Sequence, residues 1–278
     1  TIYTYDVIEN QPSGEHLQII NYPQGESVSK SFDKSGRLSK VIVNGDTTKY
    51  NYYDNGSVKS VVYGNGAKEE YTYTPNNFLD TLTNKNASGT VINSYSYLYD
   101  NEGNILSKTD EVGTTSYTYD SLNRLVTEIC PDEKTISNTY DASGNRLMQT
   151  SVKDEKTTVV LYEYDTSNRL IQTETKVEGD TTQITSYKYD ANGNMLEKRL
   201  TPFINSTPQD QIVKLTNVYD NFNQLTMSIT DDGKTVCNVY NGEGLRIQKS
   251  VDGVATNYLY EGMKVVAEYD ENYKLKAQ

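Results

Sequence analysis

Few side chains in this sequence could carry acid–base or nucleophilic chemistry, and none is arranged to do so. His16 is the only histidine in 278 residues, which removes most catalytic triads and zinc sites at once. We interpret it as a loop or surface residue. The two cysteines, Cys130 and Cys237, lie far apart in the sequence and are predicted to be free thiols on strands. No glycine-rich phosphate loop and no nucleophile elbow is present, so we expect no catalysis by this chain.

Carboxylates are abundant, and clusters such as Asp100-Asn101-Glu102-Gly103-Asn104 resemble calcium loops at first sight. They lack the alternating carboxylates and the distal glutamate of an EF-hand. Turn chemistry accounts for each aspartate, so no metal or cofactor is predicted. Tyrosine-rich strand faces could stack on sugar rings, but the tyrosines coincide with a structural repeat, which favours packing over a sugar site.

That repeat is a tyrosine–aspartate pair, which returns about every 20 to 30 residues. The pairs are Tyr5–Asp6, Tyr53–Asp54, Tyr99–Asp100, Tyr119–Asp120, Tyr140–Asp141, Tyr164–Asp165, Tyr189–Asp190, Tyr219–Asp220 and Tyr269–Asp270. Three residues after the aspartate position stands a glycine or an asparagine, at Gly36, Asn77, Gly103, Asn123, Gly144, Asn168, Gly193, Asn223 and Gly244. Both residue types enter the left-handed region at low cost, and a type I turn that ends in such a residue is a common hairpin connection. Each pair is therefore predicted to mark a hairpin tip.

Alternating runs such as Tyr117-Thr118-Tyr119 precede the tips, and second runs such as Leu125–Ile129 follow them. This period of two predicts strands. A second turn, marked by dipeptides such as Asn44-Gly45 and Asp252-Gly253, then reverses the direction of the chain. One repeat is therefore two antiparallel strands and two turns. We expect an all-β fold with about twelve hairpin repeats over residues 1–278 as a single array. Strand twist would curve so long a sheet into a spiral that forms part of a hollow shell. A longer inserted loop is predicted at 199–212, between Pro202 and Pro208.

Charge limits the partners. With 26 basic and 38 acidic residues the net charge is −12, which disfavours nucleic acid and anionic membranes. No apolar run is long enough to cross a bilayer, and no signal peptide is recognisable. Exposed strand edges could allow the chain to associate with further copies of itself.

Segments such as Tyr117–Leu125 and Tyr187–Asn194 resemble the YD repeat of the Rhs family. This family comprises bacterial Rhs polymorphic toxins, wall-associated toxins, C subunits of insecticidal Tc toxins, and teneurins. The resemblance covers essentially the whole chain in a dozen in-phase copies.

The resemblance implies a β-shell that encloses a C-terminal toxin or cargo domain, in a parent protein that is secreted or displayed on a bacterial surface. The aspartyl self-cleavage sequence that follows the repeats in the family is not present, so the chain resembles only the wall. A surface adhesin, or a self-assembling structural protein that binds glycans or neighbouring cells, is the alternative.

Overall fold

The structure, a computed structural model, describes residues 4–8, 16–21 and 27–277, and these residues form β-strands joined by turns. The prediction of an all-β array of antiparallel hairpins is confirmed. The chain divides into two units, Thr1–Glu133 and Lys134–Gln278, and each is built from the same kind of hairpin. No described segment forms a long apolar helix that could span a membrane.

Unit 1 is an antiparallel meander in which each strand pairs with the next along the chain. Its strands are β1 (Thr4–Ile8), β2 (His16–Asn21), β3 (Ser27–Phe32), β4 (Leu38–Val43), β5 (Asp46–Tyr52), β6 (Val58–Val62), β7 (Lys68–Tyr73), β8 (Leu79–Lys85), β9 (Val91–Tyr99), β10 (Ile105–Asp110), β11 (Gly113–Tyr119) and β12 (Leu125–Ile129).

Unit 2 continues the same pattern, except that β18 pairs with both β19 and β20. Its strands are β13 (Thr135–Tyr140), β14 (Arg146–Lys153), β15 (Lys156–Tyr164), β16 (Leu170–Val177), β17 (Asp180–Tyr189), β18 (Met195–Ile204), β19 (Thr207–Pro208), β20 (Ile212–Tyr219), β21 (Leu225–Thr230), β22 (Thr235–Tyr240), β23 (Arg246–Val251), β24 (Val254–Glu261), β25 (Lys264–Tyr269) and β26 (Leu275–Ala277).

The two faces of the meander differ. In β11, Tyr117 and Tyr119 are half-buried, whereas Ser116 and Thr118, which alternate with them, are exposed. Because successive side chains of a strand point to opposite faces, the period-two pattern separates a tyrosine face from a more exposed opposite face. The described apolar core is small, and Ile20 is its only side chain below 2% exposure. Neighbouring strands must therefore be held together largely by ladder hydrogen bonds and cross-strand contacts.

The predicted loop at 199–212 is largely extended structure. Strand β18 continues to Ile204, Asn205 and Ser206 form a left-handed two-residue turn, and β19 pairs back onto β18. Pro202 is tolerated in β18 because its backbone nitrogen, which carries no hydrogen, faces the inserted segment and not β17. On this same side the Pro202 carbonyl accepts a hydrogen bond from the Gln209 N–H at 2.8 Å. The insertion is thus an extended hairpin. The prolines were expected to interrupt the strand, but they do not.

The turns at the other end of the hairpins are mostly two residues long. Asn44 and Gly45 both have positive φ angles, 49° and 93°. Asp252 and Gly253 also have positive φ angles, 49° and 87°. Two successive left-handed residues match the twist of the flanking strands. The Asn-Gly and Asp-Gly signals in the sequence predicted these turns.

Candidate functional site

The candidate functional site is the row of hairpin tips, because this is where the repeat concentrates its polar side chains. At the tip that begins at Asp120, the Asp120 N–H donates to the Arg124 carbonyl and the Asn123 N–H donates to the Asp120 carbonyl, both at 3.0 Å. Asn123 has a φ of 60°. The same two hydrogen bonds recur at the other tips, and a β-bulge follows in the outgoing strand. A type I turn closed by a left-handed residue accounts for this geometry.

At six tips the opening aspartate bonds to the turn through both of its carboxylate oxygens: Asp33, Asp100, Asp120, Asp141, Asp165 and Asp190. Oδ1 of Asp165 accepts from the N–H groups of Ser167 and Arg169 at 2.8 and 2.9 Å, and Oδ2 accepts from Nε of Arg169 at 2.6 Å. At Asp190 the side-chain donor is the Asn194 amide, at 2.8 Å. These hydrogen bonds favour the ionised form.

The hydrogen bonds consequently lower the pKa of these six carboxyls. For Asp33, Asp120 and Asp165 the first cause is the backbone N–H four residues on, and for Asp100, Asp141 and Asp190 it is the asparagine side chain at that same position. The aspartates therefore serve as turn anchors, with their oxygens committed to the chain.

At seven tips the tyrosine that ends the incoming strand joins its hairpin to the preceding one. The Tyr119 hydroxyl donates to the Ile105 carbonyl at 2.9 Å, and the Tyr189 hydroxyl donates to the Leu170 carbonyl at 2.9 Å. The accepting residue always stands five positions after the start of the previous tip. The same bond is made by Tyr52, Tyr99, Tyr164, Tyr240 and Tyr260, to Leu38, Leu79, Arg146, Leu225 and Arg246.

The end of the strand ladder explains why the hydroxyl is needed. Pairing of β10 with β11 begins only at Ser107 and Ser116, two residues beyond Ile105. At Leu170 the ladder likewise starts two residues later, at Gln172. The strands diverge next to the tips, so these carbonyls have no backbone donor opposite, and an unpaired buried carbonyl is costly. The tyrosine hydroxyl supplies the missing donor. In the repeat of Tyr219 the Asn217 amide does so instead, with a bond of 2.9 Å to the Met195 carbonyl.

Consecutive tips are also joined to each other by side chains. The amide of Asn104 donates to the side-chain oxygen of Asn123 at 2.9 Å, and that of Asn145 donates to Asn168 at 2.9 Å. The Ser57 hydroxyl makes the equivalent bond to Asn77, at 2.6 Å. In each case the donor tip carries glycine at its left-handed position and the acceptor tip carries asparagine.

Glycine and asparagine in fact alternate strictly from Gly56 to Gly244, as Gly56, Asn77, Gly103, Asn123, Gly144, Asn168, Gly193, Asn223 and Gly244. The asparagine tip of Asn168 is joined to the next tip in a different way, since Nη1 of Arg169 donates to the Asp190 carbonyl at 3.1 Å. Arg37, in the tip of Gly36, makes the same kind of bond to the Tyr53 carbonyl at 3.2 Å. The structural repeat is therefore two hairpins long. Sequence reasoning identified every residue of this series except Gly56, but it missed the alternation, although the order of glycines and asparagines was a visible signal.

One predicted pair is displaced by one residue. Tyr53–Asp54 was expected to be the anchor, but Tyr52 ends β5 and donates to the Leu38 carbonyl at 2.7 Å. Tyr53 then takes the place of the aspartate, because its N–H donates to the Ser57 carbonyl and its carbonyl accepts from Gly56. Asp54 is an exposed turn residue. Two adjacent tyrosines made the register ambiguous in the sequence.

The pair Tyr5–Asp6 was also predicted to mark a tip, but this prediction was wrong, because both residues lie inside strand β1 and pair with Ile20 and Ile19 of β2. The structure places six other predicted pairs at tips. Their tyrosines end strands: Tyr99, Tyr119, Tyr140, Tyr164, Tyr189 and Tyr219. Their aspartates open the turns: Asp100, Asp120, Asp141, Asp165, Asp190 and Asp220. The left-handed positions are Gly103, Asn123, Gly144, Asn168, Gly193 and Asn223. Tyr273 has this conformation in the tip of Asp270, with a φ of 59°.

The residues with conventional reactivity are dispersed. His16 is exposed at the start of β2. Cys130 and Cys237 are half-buried and form no disulfide. Cys237 lies in β22 as predicted, whereas Cys130 follows the end of β12. No group of three or more potential metal ligands lies among the described residues. The side-chain hydrogen bond from Lys68, followed by that from Lys85, lowers the pKa of Glu70 to about 2. This cluster links adjacent strands and has the character of a surface ion-pair network.

Comparison with known proteins agrees with the repeat geometry. The model of the RHS Repeat family matches residues 99–135, which span the tips of Asp100 and Asp120. The tRNA3(Ser)-specific nuclease WapA of Bacillus spizizenii is 29% identical over 268 residues. Residues 99–135 thus match the Rhs repeat, and nearly the whole chain is similar in sequence to WapA.

The relatives that this chain matches are much longer proteins. The WapA match covers 94% of this chain but 10% of the relative, and the tRNA nuclease WapA of Bacillus subtilis strain 168 is 28% identical over 89% of this chain and 10% of its own length. The chain thus spans about a tenth of these relatives. Among solved structures, the Photorhabdus luminescens Tc holotoxin pore with the TccC3-D651A mutation has a TM-score of 0.44 at 14% identity, over 92% of this chain and 16% of that one.

Proposed function

We propose that this chain is a non-catalytic wall segment of an Rhs/YD-repeat protein, and that the parent protein encloses a C-terminal toxin or cargo domain within a β-shell and helps to deliver it. The observation that carries the proposal is the continuous linkage of hairpins within each unit. The bonds from the tyrosines at the tips and the bonds between tips join one hairpin to the next, so a unit can be lengthened by adding hairpins. A wall requires such open-ended growth.

The side-chain chemistry supports containment over catalysis. The carboxylates of the tips serve the turns, and their lowered pKa values keep them ionised rather than poised to transfer protons at neutral pH. The nuclease activity in the names of the WapA relatives belongs to proteins of which this region makes up a tenth. We infer that a catalytic activity of the parent protein resides outside this segment, and that the segment does not bind nucleic acid.

The parent protein is inferred to act outside the cell or at its surface, with the cargo domain as the partner of the wall. The test is intact mass of the purified full-length protein under denaturing and native conditions. A C-terminal fragment that is covalently cut but retained in the native complex is the expected result.

One uncut chain with nothing retained would overturn containment and favour the adhesin alternative. As a second arm, the 278-residue chain is incubated with tRNA. The proposal expects neither cleavage nor a mobility shift, and cleavage would place catalysis within the segment.

A further inference from the structure

Strands β9 to β12 of unit 1 carry an exposed face that has no charged side chain. The three charged residues of these strands, Lys108, Asp110 and Glu128, all lie on the tyrosine face: Lys108 pairs with Tyr97, Glu128 pairs with Tyr117, and Lys108 bonds to Asp110 at 3.0 Å. In a chain with 23% charged residues, this separation leaves one face neutral.

Two cross-strand rows make up this surface, which we name the neutral face. One row contains Leu98, Ser107, Ser116 and Ile129, which pair successively across β9 to β12. Leu98 is 65% exposed and Ile129 is 46% exposed. The row therefore presents two aliphatic side chains with hydroxyls between them.

The second row of the neutral face contains only hydroxyl side chains. It joins Thr81, Ser96, Thr109 and Thr114 through the pairings of β8 to β11. Thr109 and Thr114 bond to each other at 2.8 Å. Ser96 has no partner within the described part of the chain, and neither do the serines of the first row, so their hydroxyls remain available as donors and acceptors.

The repeat itself does not impose this neutrality. Leu98 stands immediately before the tyrosine of its tip, and in unit 2 the same position carries Glu163 and Lys188, both exposed. Charge is therefore tolerated at this position elsewhere and is missing in β9 to β12.

An acidic cleft adjoins the neutral face at its tip end. It has a volume of about 560 Å³ and is lined by Leu106, Thr118, Asp100 and Glu102, among others. The oxygens of Asp100 already accept hydrogen bonds from its own turn, and Asp120, which also lines the cleft, is paired with Arg124 at 2.7 Å. Glu102 is exposed and has no cationic partner among the described residues. A basic side chain would therefore find the Glu102 carboxylate there, close to the negative charge of Asp100. The surface thus combines an uncharged platform with a negative end.

We propose that the neutral face binds an extended polypeptide segment that is uncharged where it crosses the strands and places a lysine or arginine in the cleft. The inference rests on the proposed function, because it assigns the contact surface for the enclosed cargo chain. Four strands spaced about 4.8 Å apart accommodate roughly five residues of such a segment.

Three features of the surface favour this occupant. Free hydroxyls satisfy the backbone N–H and C=O groups of a peptide in either direction, and Leu98 and Ile129 bury its apolar side chains. A charged segment would lose hydration on this face without gaining an ion pair. A sugar would lack an aromatic platform, because the tyrosines lie on the opposite face.

The test measures fluorescence anisotropy of labelled ten-residue peptides, acetylated and amidated, with the 278-residue chain. One peptide is uncharged except for a terminal lysine, a second has glutamate in place of that lysine, and a third has two central glutamates. We expect the first to bind at least ten-fold more tightly than the other two. Equal affinities would overturn the assignment.

Variants locate the binding. Leu98→Glu and Ser116→Glu should each abolish peptide binding, whereas Leu98→Gln should retain most of it. Val239→Glu is the matched control, since Val239 is exposed and also precedes the tyrosine of its tip. An equal loss in the control overturns the proposal. So does light scattering that shows wild-type dimers which Leu98→Glu dissociates, because a second copy would then cover the face.

Retention in the full-length protein separates this inference from the proposed function. If the wild type retains its cut fragment and Leu98→Glu does so equally well, containment stands and the neutral face is not the contact surface. If the wild type retains nothing, containment fails. The peptide measurements then decide by themselves whether the neutral face binds an extended polypeptide.

Discussion

The side-chain amide of Asn194 donates a hydrogen bond to the side-chain oxygen of Asn223, 29 residues further along the chain, at 2.8 Å. Asn194 also donates to Oδ2 of Asp190 at 2.8 Å. One amide group thus closes its own turn and binds the next one. The contact fixes which residue is needed at each left-handed position, because glycine would offer no acceptor at Asn223.

Replacing Asn223 tests this linkage. Asn223→Gly retains the left-handed backbone but removes the acceptor, and should lower the free energy of unfolding by about 1 kcal/mol. Asn223→Ala should cost roughly 1–2 kcal/mol more, because alanine is strained at a φ of 60°. Chemical denaturation measures both. A fully stable glycine variant would show that the bond between the tips contributes nothing.

The tyrosine hydroxyl can be tested within one strand. Tyr99 donates to the Leu79 carbonyl at 2.7 Å, so Tyr99→Phe should lower the free energy of unfolding by about 1 kcal/mol and speed amide exchange next to the tips. The control is Tyr97→Phe, because Tyr97 lies on the same face of β9 with no hydroxyl partner among the described residues. If both variants lose the same stability, the hydroxyl does not join the hairpins.

The sequence predicted the element type and the tips because both depend on local rules. A period of two and a left-handed residue three positions after the aspartate are sufficient for them. The Tyr119–Ile105 bond could not be read in this way, since it depends on where the ladder between β10 and β11 begins. The neutral face was hidden for a similar reason, because only the register shows that Leu98, Ser107 and Ser116 are neighbours.

Acid should weaken the array through six tip aspartates: Asp33, Asp100, Asp120, Asp141, Asp165 and Asp190. Their pKa values are lowered in the folded chain, so the stabilisation is present above the unfolded value of about 4 and is lost as the pH falls through the lower folded values. We expect a constant melting temperature between about pH 7 and 5, and a decline below about pH 4.

A matched variant checks that the tips cause this decline. Asn241 already shows that an amide can cap the turn, since its oxygen accepts from the N–H groups of Glu243 and Leu245 at 3.0 and 2.9 Å. Asp100→Asn, Asp141→Asn and Asp190→Asn combined should therefore be less stable at pH 7 but decline less in acid. An unchanged acid transition would assign it to other carboxylates.

Glycine tips differ in what surrounds them, which allows backbone strain and packing to be separated. At Gly103 an added methyl group would lie 2.8 Å from the ring of Phe78, which packs against Tyr99 with ring centroids 5.1 Å apart, whereas at Gly144 nothing lies within 4 Å. The two glycines have nearly the same φ, 90° and 89°. Gly144→Ala should therefore cost roughly 1–2 kcal/mol of unfolding free energy from backbone strain alone.

Gly103→Ala should cost about 1–3 kcal/mol more than Gly144→Ala, because the Phe78 ring must also move. Phe78→Leu shortens that side chain and should recover part of the difference in the Gly103→Ala background, while it lowers stability in the wild type. Urea denaturation of the five proteins forms a double-mutant cycle with its control. Additive effects of the two substitutions would mean that the tip of Gly103 is not packed by the residue that closes the previous tip, and that consecutive tips are joined by hydrogen bonds alone.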